Sequence, residues 1–195
     1  MECTIDVSFL HTLRNKYKPC GVQSNHNYSK NCIIELLFTD IMLSREEQKA
    51  INTFFWNGFR EFTKKTKSSN GRRINWLSYP SDVDDIYIRL HADTRMVGLF
   101  FDIQPKDQGV REIIWEQMTE LKKVMESTMN IEGEWTETLS LPDGRVISRI
   151  SWTKSGLNYL HEGDRLEMYT FLRDTITAFD NFYQEFKEIL INLSD

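Results

Sequence analysis

From Ser44 onward, apolar and polar positions follow two clear periods. Ser44 followed three residues later by Glu47 is a capping box, and Ile51, Phe54, Phe55, Gly58, Phe59 and Phe62 recur behind it at helical spacing. This predicts a first helix over about 45–65. Ile74 to Tyr79 reads as a short aromatic strand and Pro80 to Asp85 as a turn. Ile86, Ile88, Leu90 and Ala92 then alternate with Tyr87, Arg89, His91 and Asp93, the period-2 pattern of a strand with one buried and one wet face. After the tight connection Asp93-Thr94-Arg95, Met96 to Ile103 is almost continuously apolar, which predicts a central strand covered on both faces.

Asp107 is placed to cap a second helix, whose stripe runs through Val110, Ile113, Ile114, Met118, Leu121, Val124, Met125 and Thr128. Trp135 to Leu141 and Val146 to Trp152 flank Pro142-Asp143-Gly144-Arg145, a hairpin signal in which glycine tolerates the positive φ of the turn. Asp164 with Glu167 repeats the capping arrangement. A long amphipathic helix follows, from Leu166 through Leu172, Ile176, Phe179, Tyr183 and Phe186 to Leu193. The expected order is α-β-β-β-α-β-β-α, an α+β domain in which a mainly antiparallel sheet of about five strands is covered by three amphipathic helices.

Composition divides the chain differently. All three cysteines, Cys3, Cys20 and Cys32, lie in the first 32 residues, whereas all five tryptophans lie beyond position 50. Residues 1–41 show no sustained period and balance four basic against four acidic side chains. They read as a poorly organised extension, with Met42 as the functional start, and 42–195 as a single domain. The acidic start Met1-Glu2-Cys3-Thr4-Ile5-Asp6 does not suit a signal peptide. The one apolar run, Cys32 to Leu43, is shorter than a bilayer span, so a cytoplasmic protein with no membrane partner is expected.

The chain of 195 residues is 40% hydrophobic and 27% charged, the balance of a globular domain, with a net charge of −5. That charge excludes a basic architectural protein but leaves room for a local basic patch. Lys64, Lys65, Lys67, Arg72 and Arg73 form one in a polar loop, and are the candidate nucleic-acid contacts. Trp56 lies off the main stripe of helix one and Trp115 flanks that of helix two. Either they offer aromatic surface to a protein partner or both helices are buried on a broad face.

The series Ser44-Arg45-Glu46-Glu47, Phe55-Trp56-Asn57-Gly58-Phe59, Ile74-Asn75-Trp76, Arg89-Leu90-His91-Ala92-Asp93, Arg111-Glu112, Trp115-Glu116-Gln117 and Ser148-Arg149-Ile150 resembles the bacterial family called domain of unknown function 4268. The likeness spans 42–195 and none of 1–41. It implies a bacterial domain that occurs alone or behind a restriction-endonuclease-like domain, and it assigns no catalytic residues.

The chemistry legible in the side chains is sparse. His11, His26, His91 and His161 are scattered and the domain lacks cysteine, so no metal site is expected. No nucleophile elbow, phosphate loop or dinucleotide fingerprint occurs. His91 beside Asp93 is one candidate acid/base pair, and Arg89, His91, Asp93, Arg149 and Ser151 are candidates to line a groove for an acidic or nucleic-acid ligand. The main expectation is a non-catalytic binding or accessory module without cofactor.

The alternative is a degenerate or divergent nuclease, because an αβββαβ order also describes nucleases with one carboxylate on the second strand and an acid-x-Lys triplet on the third. Asp84 or Asp85 would supply the first carboxylate and Asp102-Ile103-Gln104 the triplet, together holding Mg²⁺. Gln104 departs from that pattern, since an amide has no charge with which to activate water.

Overall fold

The computed structural model describes residues 44–194, so the expectations for residues 1–41 and Met42 lie outside the described residues. Helix α1, Arg45–Phe62, opens with Glu46 and Glu47 in its first turn and carries Arg60 in its last, matching the helix dipole at both ends. Its buried Phe55 and Phe59 pack on Tyr169 of the last helix, with ring centroids 4.9 and 5.8 Å apart, and the Tyr169 hydroxyl donates to the Phe55 carbonyl at 2.7 Å. This approach needs a glycine in α1. A Cβ on Gly58 would lie 2.4 Å from the Tyr169 hydroxyl oxygen.

The next segment corrects one expectation. Ile74 to Tyr79 is no strand; Trp76–Ser78 forms a single 3-10 turn, capped by Asn75, whose side chain accepts from the Leu77 amide. Trp76 and Tyr79, three residues apart, are thereby brought to one side and both buried, with rings 6.2 Å apart. The side-chain cap of Asn75 and the aromatic i,i+3 pair outweigh the β-propensity of Ile74 and Trp76.

Strands β1, Ile86–Ala92, and β2, Met96–Ile103, form an antiparallel pair. The second helix is another correction. Its stripe is continuous, yet the chain divides at Leu121, where ψ is −4°, into α2, Gln108–Glu120, and α3, Lys122–Met129. The bend lets α2 reach β2, β4 and the last helix while α3 packs on that helix, and Met118, Met125 and Met129 all remain buried. Strands β3, Glu134–Ser140, and β4, Val146–Ser155, make the predicted hairpin, with Gly144 at φ 85° in its turn. Helix α4, Arg165–Ser194, completes the domain.

The described residues therefore hold four strands and four helices rather than five and three, in one antiparallel sheet of order β1-β2-β4-β3. β2 is central, as its apolar run predicts. One face of the sheet, with Ile86, Ile88, Leu99, Phe101, Ile150 and Trp152, is buried against Leu172, Ile176, Phe179 and Tyr183 of α4. Phe179 stands at the centre, 5.6 Å from Phe101 and 5.8 Å from Trp152. Among the described residues no helix is long and apolar enough to cross a membrane.

Candidate functional site on the open face of the sheet

The opposite face of the sheet is built from the other half of each alternation. The register sets Tyr87, Asp102, Arg149 and Thr136 in one row across the four strands, Arg89, Phe100, Ser151 and Glu134 in the next, and His91, Gly98 and Thr153 in a third. The candidates Arg89, His91, Arg149 and Ser151 are thus aligned on one face. β2 departs from the expectation of two apolar coverings, because this side of it carries Asp102.

Asp102 is fully buried, and the side chains that hold it come from β1, β4 and Gln104, just past its own strand. Arg149, directly opposite, grips both oxygens, Nε to Oδ1 at 2.6 Å and Nη2 to Oδ2 at 2.9 Å. Arg89 reaches diagonally to Oδ2 at 2.7 Å. Such forked, charge-assisted bonds are the strong class of hydrogen bond, and a buried carboxylate requires them. Each guanidinium also lies over an aromatic ring, Arg89 over Tyr87 and Arg149 over Phe100, both 4.4 Å from the centroid. His91 stacks on Phe100 at 5.2 Å. The side chains of Arg89 and Arg149 keep 44% and 22% of their surface exposed.

Gln104 extends the network. Its Nε2 donates to Asp102 Oδ2 at 3.3 Å, and its Oε1 accepts from Arg145 Nη1 at 2.9 Å. Beyond it lies a cleft of about 470 Å³, with Lys106, Arg111, Trp115, Glu137 and Arg145 in its wall. Trp115 is buried there, edge-on to Trp135 at 5.4 Å, which settles its placement in favour of burial. Trp56 is half-buried against Phe55 and Phe59.

His91 Nε2 lies 3.2 Å from Asp93 Oδ2. Partial burial pushes the Asp93 carboxyl upward, but the amides of Arg95 and Met96 and the His91 ring reverse this and hold it below the usual carboxylate range. The pair closes the β1–β2 turn: Asp93 Oδ1 accepts from the Arg95 and Met96 amides at 2.7 and 2.8 Å.

The nuclease residues are brought only partly together. Asp102 and Gln104 touch, whereas Asp85 is exposed, at φ 55° in the turn before β1, and meets Gln104 through its backbone carbonyl at 2.8 Å. Asp84 is exposed beside it. Both Asp102 oxygens are engaged by guanidinium groups, and a cation there would have to displace them. Among the described residues no group of three or more His, Cys, Asp or Glu side chains is arranged to hold a metal ion. The strand that the αβββαβ order requires at Ile74 to Tyr79 is the 3-10 turn described above.

Lys64, Lys65, Lys67, Arg72 and Arg73 are all exposed. Their loop is pinned from below by Asp180 of α4, a buried acid that sequence reasoning missed. It accepts from the Ser68 hydroxyl, the Ser69 amide at 2.6 Å and the Tyr79 hydroxyl at 2.5 Å. Burial and the bond to Asp180 push the Tyr79 hydroxyl far above the usual tyrosine range. The available signal was an acid one residue after Phe179 in an apolar stripe.

A family model, described as Domain of unknown function (DUF4268), matches residues 51–187. No curated protein and no solved structure matches the chain.

Proposed function

Because this chain belongs to the family Domain of unknown function (DUF4268), whose description names no activity, we propose from the sheet geometry that it is a non-catalytic binding module that takes an anionic group of its ligand between Arg89 and Arg149. The observation that carries this reading is the Arg89–Asp102–Arg149 clamp on an exposed sheet face. One buried carboxylate against two guanidiniums leaves one positive charge in surplus. The aromatic rings and Asp102 hold both side chains in place, so little rotamer entropy remains to be lost on binding. Arg149 uses Nε and Nη2, and Arg89 uses Nη1, which leaves Nη1 of one and Nε and Nη2 of the other for a phosphate or carboxylate.

Titration calorimetry with inorganic phosphate and with acetate tests the reading. Arg89→Gln is expected to weaken binding about tenfold, the loss of one charge-assisted pair, and to lower the melting temperature less than Arg149→Met does, because Arg149 still holds both Asp102 oxygens. Binding that is indifferent to Arg89→Gln sinks the proposal.

A second reading is favoured by a separate observation. The basic loop is held in one conformation, and Lys65, Lys67, Arg72 and Arg73 have no ion-pair partner among the described residues, whereas Lys64 pairs with Glu61 at 3.0 Å. A fixed cluster of unpaired cations suits phosphates along a nucleic-acid backbone.

A further inference from the structure

Among the described residues β1 is an edge strand, and no strand pairs with its outer side. The Gln104 amide donates to the Asp85 carbonyl at 2.8 Å, and the Asp93 amide donates to the Met96 carbonyl at 3.0 Å. In an antiparallel ladder the residues facing the partner strand alternate, so the odd-numbered residues from 85 to 93 face β2. The amides and carbonyls of Ile88 and Leu90 therefore face outward, and no backbone partner meets them among the described residues. The strand has seven residues without a proline or a register shift, the devices that usually blunt an edge. The other edge, β3, has one of them, a register shift between Thr136 and Leu139.

A groove of about 350 Å³ runs between this free edge and the 3-10 turn. Leu77, Tyr79, Ile86 and Ile88 lie along it, the last three of them buried. Exposed Asp84 and Asp85 stand at one end and Arg89 at the other. Asp85, in the turn before β1, and Arg89 are four residues apart. Neither Asp84 nor Asp85 has an ion-pair partner among the described residues.

We infer that β1 accepts an extended peptide as a fifth, antiparallel strand, with an acidic side chain of the peptide directed to Arg89 and a basic one four positions later directed to Asp84 and Asp85. The inference rests on the anion-binding reading above and names its ligand: a peptide carboxylate. Main-chain bonds to Ile88 and Leu90 supply affinity. Alternate apolar side chains fill the groove, and the two charge pairs set direction and register.

The probe is the labelled peptide acetyl-Thr-Val-Glu-Val-Thr-Val-Lys-amide, titrated into the full chain and followed by fluorescence anisotropy. In antiparallel register its Glu lies opposite Arg89 and its Lys opposite Asp85. N-methylation of its valines removes the donors that face β1 and is expected to weaken binding at least about tenfold. Exchanging its Glu for Gln is expected to do the same. Amide hydrogen exchange at Ile88 and Leu90 is expected to slow when the peptide binds, a readout that needs no variant of the protein.

Equal binding of the parent and N-methylated peptides overturns strand addition, and so does unchanged exchange at Ile88 and Leu90. Binding of oligothymidylate in place of the peptide, with those amides unaffected, overturns it in favour of nucleic acid. If phosphate binding still depends on Arg89 in those cases, the anion reading survives alone. If the peptide is sensitive to N-methylation but indifferent to Arg89→Gln and to its own Glu, strand addition stands and the anion reading fails.

Discussion

Arg149 and Asp102 are unequal partners. The carboxylate is withdrawn from solvent altogether, whereas the guanidinium keeps a fifth of its surface exposed. Removal of either partner breaks the same two bonds, but what is left behind differs. Arg149→Met leaves a buried carboxylate with Arg89 as its single cation, and a cost of about 3–5 kcal/mol is expected. Asp102→Asn leaves two arginines that can turn to water and an amide that still fills the space, at an expected cost of about 1–2 kcal/mol. Urea unfolding of the two variants checks the ordering, and equal losses would show that the clamp is not built around a buried charge. At this scale the sequence was half legible. Arg89 and His91 could be placed on one wet face by alternation, while the alignment of Arg149 with them needed the strand order. Asp102, inside an apolar run, could not be given its partner, because the Arg149 pairing depends on β4 lying beside β2, across a connection of two helices and a strand. Asp180 was hidden for a similar reason: its donors Ser68, Ser69 and Tyr79 lie about a hundred residues away in sequence.

Elements were legible where one period ran unopposed, and were misread where a local competitor entered. The strands from Ile86 and Met96, the Gly144 hairpin and the last helix all follow their patterns. Ile74 to Tyr79 does not, because Asn75 caps a turn that buries Trp76 and Tyr79 together. The break at Leu121 has no proline or glycine to announce it, and only the packing of α2 and α3 on different neighbours accounts for it. Packing also reverses the usual effect of one helix residue. Gly→Ala in the interior of α1 ordinarily stabilises a helix by about 1 kcal/mol. At Gly58 the added methyl would meet the Tyr169 hydroxyl and disturb its bond to the Phe55 carbonyl. Gly58→Ala is therefore expected to destabilise the domain by about 1–3 kcal/mol in thermal unfolding. Gly58→Ala combined with Tyr169→Phe, which removes the obstructing oxygen, should recover part of that loss. A stabilised single variant would mean that α1 does not sit on α4 as described.

At the scale of the whole chain, charge separates the two readings of function. The net charge of −5 repels a polyanion at long range, so nucleic acid has to be held by a local excess of cations. The open sheet face does not have that excess, because Asp102 and Asp93 offset much of its positive charge. The loop at Lys64 to Arg73 does have it, and Asp180 keeps the cations displayed on one fixed turn. If the loop is the contact, its four cations that have no ion-pair partner among the described residues set the salt dependence. The logarithm of the affinity for a single-stranded oligonucleotide is expected to fall with the logarithm of salt concentration with a slope of about −3, near −0.7 per phosphate contact. Replacing Lys65, Lys67, Arg72 and Arg73 together with alanine should abolish that binding and leave the melting temperature within a few degrees, since all four side chains are exposed. Ser68→Ala should weaken it without touching a single cation, because the loop is then tied to Asp180 by the Ser69 amide alone while its charge is unchanged. Salt-dependent binding that survives the fourfold replacement places the contact elsewhere. Binding that is lost with Arg89→Gln but not with the loop variant assigns the anion to the sheet face, where a single carboxylate fits better than a chain of phosphates.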